Sequence, residues 1–362
     1  MHIFYSSPFT KENGFINLDK FIETKDSSNY VLILDANICI YLEKYFEDPF
    51  KTVSIWRDSN TELLTDFFDM VKTIRKYHIE YNIEDALNES CRETLRGNRL
   101  DSEKFIKRQD RILYLLEDLT LNEVLYPKKP FVSNSYLNDS KAIIESFVKK
   151  YDNPETPLNL VLSYINTLKI KQLQRDTRKN PIEKLQHYYD FVINEVGIFS
   201  LPHWGVAILI FGDLKLQSGD HMTKLIKTKK KRNLDKKDSY ISGIWNAAID
   251  ISWLINVSKR IYKGKIPVFV TNDEALNELM KRYGISKLFD DESEFPPIAS
   301  FDTKGTLFHK KFSKSFFDIQ NNVEATVNNN SFDRIKRMRQ EKSDGSLYER
   351  LWNLKDKLEK EI

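Results

Sequence analysis

A chain of 362 residues with 41% apolar and 12% aromatic content has enough buried surface for one large domain or two ordinary ones, which excludes a disordered tail. The formal net charge of +3 excludes a globally basic or acidic protein, and two cysteines, Cys39 and Cys91, give no support to a disulfide framework or a Cys-rich zinc site, so both read as core thiols. No run of eighteen apolar residues and no basic-then-apolar start occurs, so a cytoplasmic protein without a membrane partner is expected.

Residues 1–28 carry no strong pattern beyond a turn at Asn13-Gly14. The run Val31-Leu32-Ile33-Leu34 then leads straight into Asp35-Ala36-Asn37 and an apolar-periodic segment. A buried parallel strand reads as such a run, and an acid at its C-terminal end faces the crevice where open α/β sheets bind ligands. Residues 60–119 have helical spacing, a break falls between Tyr126 and Pro130, and residues 140–198 are helical again. Within that stretch Asn153-Pro154 interrupts, and Asn180-Pro181-Ile182-Glu183 restarts the helix with an N-cap, Pro at the first position and Glu at the third. A helical insertion or lid at about residues 100–200 is expected.

Residues 204–211 are apolar throughout and are read as helix rather than strand. Residues 224–237 hold eight cations and one acid, +7 in a chain whose remainder sums to −4. Lys229, Lys230, Lys231 and Arg232 at its centre are either a solvated loop or a nucleic-acid contact. Residues 239–257 form a helix with Trp245, Ala248, Ile249, Ser252 and Trp253 at core spacing. Ile266-Pro267-Val268-Phe269-Val270 repeats the earlier grammar, a β-branched run ending on Thr271-Asn272-Asp273 before a helix, so two strands deliver carboxylates to one sheet edge. Residues 300–330 lose their pattern and read as an irregular surface extension. A last helix begins at Ser346-Leu347-Tyr348-Glu349 with capping-box spacing and puts Leu347, Leu351, Leu354 and Leu358 on one stripe. Two heptads are too few for a free coiled coil, so this helix is expected to dock on the body rather than make a dimer contact.

Carboxylates converging from distant parts of a chain repel unless a cation holds them, and such oxygen ligands suit Mg²⁺ or Mn²⁺. In order along the chain, Asp35-Ala36-Asn37, Asn246-Ala247-Ala248-Ile249-Asp250-Ile251 and Thr271-Asn272-Asp273 resemble the three best-marked motifs of PIN-domain nucleases. The resemblance covers both ends of residues 31–290, not the helical middle or the last sixty residues. It implies an α/β fold with a central parallel sheet flanked by helices, a PIN-like domain over 1–300 and a helical extension over 301–362. It also implies that Asp35, Asp250 and Asp273 are catalytic metal ligands, that Asn37 orients Asp35, and that Thr271 hydrogen-bonds a carboxylate or a metal-bound water. The family's further acid is matched best by Glu89 in Ala86-Leu87-Asn88-Glu89, with Glu84 and Glu93 as alternatives. Helical periodicity does not select it, because Ile83, Leu87, Ser90 and Thr94 form the inner stripe.

Each acid also has a structural reading: Asp35 and Asp273 as helix N-caps, Glu89 as a solvated helix residue. Asp250 lies among Trp, Ile and Ala with no Lys or Arg within one turn, so burial of its charge would demand a metal or a wet cleft. The implied activity is a metal-dependent endoribonuclease in which Mg²⁺ or Mn²⁺ activates water for attack on a phosphodiester. The six histidines are scattered and offer no competing general base. Two other functions compete. A haloacid-dehalogenase-like phosphatase would use Asp35 and Thr271 with Asp290-Asp291, although it wants an acid where Asn37 stands. A catalytically inactive nucleic-acid-binding protein would keep the fold and use the acids as caps. Phe308-His309-Lys310-Lys311-Phe312-Ser313-Lys314-Ser315-Phe316-Phe317 interleaves aromatic and basic residues, read first as a tail packing its rings on the core and second as a base-stacking strip.

Overall fold

A computed structural model describes residues 2–9, 21, 23–25, 27–91, 101–132, 158–228, 235–258, 265–287, 298–329 and 331–362. The chain divides into two compact units, one of residues 1–155 and 259–281, the other of residues 156–258 and 282–362. The expected turn at Asn13-Gly14 and the interruption at Asn153-Pro154 lie outside the described residues. Among the described residues no helix is long and apolar enough to cross a membrane.

The first unit is organised by a four-stranded sheet in the order β1-β4-β2-β3, with β1 Phe4–Ser6, β2 Tyr30–Leu34, β3 Glu80–Asn82 and β4 Ile266–Thr271. Strand β2 runs parallel to both β3 and β4, while β1 pairs antiparallel with β4 at the edge. The expected central parallel sheet is present in part: β2, β3 and β4 are parallel, within a small mixed sheet in a chain that is mostly helical. The two edge strands are only three residues each, too short to show alternation, and β3 falls inside the stretch read as mostly helical. All five residues of β2 are buried, as expected for a strand covered on both faces. Helices Ala36–Glu47, Pro49–Ser59, Thr61–Tyr77, Glu84–Ser90 and Ser102–Leu113 belong to the same unit, and Leu42, Tyr45, Phe67, Met70 and Phe105 from them join Leu32 and Leu34 of β2 in one buried core. Cys39 and Cys91 are free and buried.

The second unit packs helix Leu158–Arg175 against helices Lys236–Ser258 and Ser346–Lys360. Tyr164 stacks on Trp245 with ring centres 4.0 Å apart, and the Ser163 hydroxyl donates to the Ala248 carbonyl at 2.6 Å. Residues 204–211 are helical, within Leu201–Phe211, where apolar side chains all round make a fully buried helix. Helix Pro181–Phe191 carries the reciprocal capping box of Asn180 and Glu183. The last helix buries Leu347, Leu351, Leu354 and Leu358, but its cap differs from the reading: Gly345, at φ 79°, is the N-cap and Ser346 is already inside.

Residues 300–329 are not irregular. They complete an antiparallel pair, β5 Tyr283–Lys287 with β6 Ile298–Phe301, and continue into helices Leu307–Lys311 and Ser313–Asn329. Phe316, Ile319 and Val323 form a buried helical stripe that the intervening Asp318, Gln320, Asn321 and Asn322 had diluted below notice. Phe308 is buried and stacks on the buried Phe316, Phe312 is half-buried and Phe317 is exposed, so this segment packs two of its four phenylalanine rings inward.

Candidate acidic site

In the first unit, β2 and β4 run parallel with Leu34 opposite Val270, so the next residue of each strand, Asp35 and Thr271, meets the other at the C-terminal edge. The Asp35 amide donates to the Val270 carbonyl at 2.9 Å, which locks the two strand ends together. Thr271 donates its hydroxyl to Asp35 Oδ2 at 2.7 Å, and Asn37 donates its side-chain amide to the same oxygen at 3.3 Å. The Thr271 hydroxyl in turn accepts from the Asp273 backbone N–H at 3.0 Å.

Asp35 is 1% exposed and does not cap the helix that follows it with its side chain. Burial is the largest influence on its carboxyl and pushes its pKa up, the Thr271 and Asn37 hydrogen bonds and the Ala36 N–H pull it down, and Asp273 pushes it up again. Two carboxyl groups thus share one strand edge. Asp273 is half-buried and does cap, with its Oδ1 accepting from Ala275 N at 2.9 Å and Leu276 N at 3.2 Å. Asn272 donates to the Tyr41 hydroxyl, fastening the loop after β4 to the helix after β2.

Glu89 lies half-buried near the end of helix Glu84–Ser90. Its charge and that of Asp35 both reach Cys39, the thiol one turn along from Asp35, whose pKa is pushed up first by burial. Glu84 is exposed, and Glu93 lies outside the described residues, as does Thr94. Asp250 belongs to the second unit: it is half-buried on helix Lys236–Ser258, one turn beyond the exposed Asn246. The first unit therefore brings together Asp35, Asn37, Thr271 and Asp273, while the Glu89 charge acts at longer range on Cys39 of the same helix. Lys229, Lys230, Lys231 and Arg232 lie outside the described residues, as do Asp290 and Asp291.

The donor set is all oxygen, two carboxylates with a hydroxyl and a carboxamide, which is the chemistry of Mg²⁺ or Mn²⁺, and a cation would relieve the like charges of Asp35 and Asp273. Among the described residues no three His, Cys, Asp or Glu side chains stand close enough to hold an ion. Arg108, 8% exposed, went unnoticed in the sequence. It donates to Glu43 Oε2 at 2.7 Å and to the Ser90 hydroxyl at 2.7 Å, tying the Asp35 helix to the Glu89 helix. Its signal was legible, an arginine in the apolar 3–4 spacing between Phe105 and Ile112. A cavity of about 630 Å³ beside β3, lined by Arg75, His78, Tyr81, Glu84 and Glu117, does not include Asp35. No protein-family model, curated protein or solved structure matches the chain.

Proposed function

We propose that the chain is a PIN-like, cytoplasmic, metal-dependent nuclease that hydrolyses phosphodiester bonds of RNA. The observation that supports this reading is Asp35, a carboxylate buried at the end of a central parallel strand and held by Thr271 and Asn37 beside Asp273. A residue serving only as a helix cap would spend its carboxylate on the N–H groups of the second or third helical residue, and Asp35 makes no such cap bond. Asp35 and Asp273 would supply the carboxylates for Mg²⁺ or Mn²⁺, which lowers the pKa of water and neutralises charge on the leaving oxygen, with Glu89 as the family's further acid nearby. Thr271 and Asn37 keep Asp35 in one orientation. The backbone of the Asn272 loop holds Asp273 at the start of its helix. The basic stretch around Lys229, Lys230, Lys231 and Arg232 would add phosphate affinity without taking part in bond cleavage.

Cleavage of a single-stranded RNA should require Mg²⁺ or Mn²⁺, stop with chelator, and fall by orders of magnitude in Asp35→Asn and Asp273→Asn, which keep shape and delete charge. Asp250→Asn reports separately on the second unit's acid. Full cleavage by both of the first two variants removes the catalytic assignment, and turnover of phosphomonoesters alone would favour the phosphatase instead.

A further inference from the structure

Strand β3 is the outer strand of the first unit's sheet. Glu80, Tyr81 and Asn82 pair with Val31, Leu32 and Ile33 of β2 on one side, and among the described residues no backbone group takes up the hydrogen bonds of the other side. Such an edge is a row of N–H and C=O groups with which an added strand can pair. Proteins usually blunt it by keeping the strand short, by placing a charge on it, or by packing a helix or loop over it. Here the strand is short, but the Glu80 carboxylate is turned to Lys265 at 3.6 Å. No element packs over the edge either: a cavity of about 630 Å³ opens beside it.

Both walls of that cavity have a defined construction. On one side His78, at φ 50°, stops helix Thr61–Tyr77 and turns the chain directly into β3, so Ile74 and Arg75 from the end of the helix line the space. On the other side helix Ser102–Leu113 gives way to a wider π-helical turn at Tyr114–Asp118, a form frequent at functional sites, which contributes Leu116 and Glu117. Arg75 braces this turn by donating to the carbonyls of Leu115, at 3.1 Å, and Leu119. The Arg75 guanidinium is thus turned onto the wall. Against that single arginine the lining carries Glu80, Glu84 and Glu117, with the buried Ile74, Ile79 and Leu116 among its apolar members.

We propose that β3 is a docking edge for an extended peptide segment of a partner protein, added to the sheet as a fifth strand. The segment carries a Lys or Arg that meets Glu84 and Glu117, and an apolar side chain two residues away that enters the same cavity. A small molecule in the cavity would leave the backbone groups of the strand unpaired, whereas a strand pairs them and delivers alternate side chains to one face. Three residues of edge offer few main-chain bonds, so a micromolar complex is expected. The inference does not depend on the acidic site at the ends of β2 and β4.

The test uses the full chain. A phage-displayed library of random dodecapeptides is selected on the immobilised protein, and the recovered sequences are synthesised with and without N-methyl groups on alternate backbone nitrogens. The binders should carry Lys or Arg with apolar residues at spacing two, and amide exchange at residues 80–82 should slow when they bind. N-methylation should weaken Kd about tenfold or more, through loss of main-chain hydrogen bonds. Glu117→Lys, at an exposed position that should leave the fold intact, should weaken Kd about fivefold and flatten its salt dependence. A selection without binders, equal binding by the N-methylated peptides, or binding without slowed exchange at residues 80–82 each overturns the docking edge. Exchange at these residues that slows with rising protein concentration in the absence of peptide assigns the edge to a second copy of the chain, and overturns the partner peptide.

Discussion

The hydroxyl of Thr271 donates to the carboxylate of Asp35 across 2.7 Å, joining residues 236 positions apart in the chain, and the same oxygen receives the backbone N–H of Asp273. One side chain thus fixes the carboxylate on one strand and the loop that carries the other. Removing that hydroxyl leaves Asp35 with fewer donors in a buried setting and leaves the Asp273 amide without its acceptor. Thr271→Val is therefore expected to lower metal-dependent RNA cleavage by about 10- to 100-fold, in line with the loss of a group that orients a metal ligand. Thr271→Ser, which keeps the hydroxyl, should restore most of it. Equal activity of the Val and Ser variants, measured as kcat/KM at matched folded fraction, would show that Thr271 does not orient Asp35.

The half of this geometry visible in the sequence was the half written in contiguous residues. Four apolar residues before Asp35 and the β-branched run before Thr271 disclosed two buried strands, and both strands formed. The three-residue strands β1 and β3 carry no periodic signal, so the mixed character of the sheet was hidden. Periodicity placed the helix that bears Asp250, but nothing local to that helix could say that it belongs with residues 282–362 rather than with the strands, because membership of a unit is decided by long-range packing. The buried stripe of residues 316–323 was missed for the opposite reason: three apolar residues among many polar ones suffice to bury one face when the other face is solvated.

His203 gives a pH dependence that is independent of catalysis. It is fully buried in the second unit between the hydroxyls of Ser200, at 2.7 Å, and Ser163, at 2.8 Å, and burial pushes its pKa down from 6.5 to about 3. The native imidazole stays neutral while the unfolded one takes a proton below 6.5, so the unfolded state binds more protons as pH falls. The contribution to stability is whole above pH 6.5 and is lost as pH drops from there toward 3. Urea unfolding should show an added slope of up to about 1.4 kcal/mol per pH unit in this window. His203→Gln should lack it. A variant that keeps the wild-type slope would assign the acid sensitivity to other groups.

The last helix offers a test of whether the C-terminal segment is structural. Leu351 is 0% exposed on helix Ser346–Lys360, which packs on helix Leu158–Arg175 and sends the Arg350 guanidinium to the Val196 carbonyl at 2.7 Å. A helix of this length has little stability of its own in water, so its order derives from the buried leucine stripe. Leu351→Ala deletes side-chain volume at the middle of that stripe and should destabilise the second unit by about 2–5 kcal/mol, whereas Leu351→Met, which conserves volume, should cost under about 1.5 kcal/mol. Hydrogen exchange would show where the loss acts, with amides of both helices losing protection together in Leu351→Ala. A loss confined to residues 346–360 would instead mean that this helix docks on a body already complete without it.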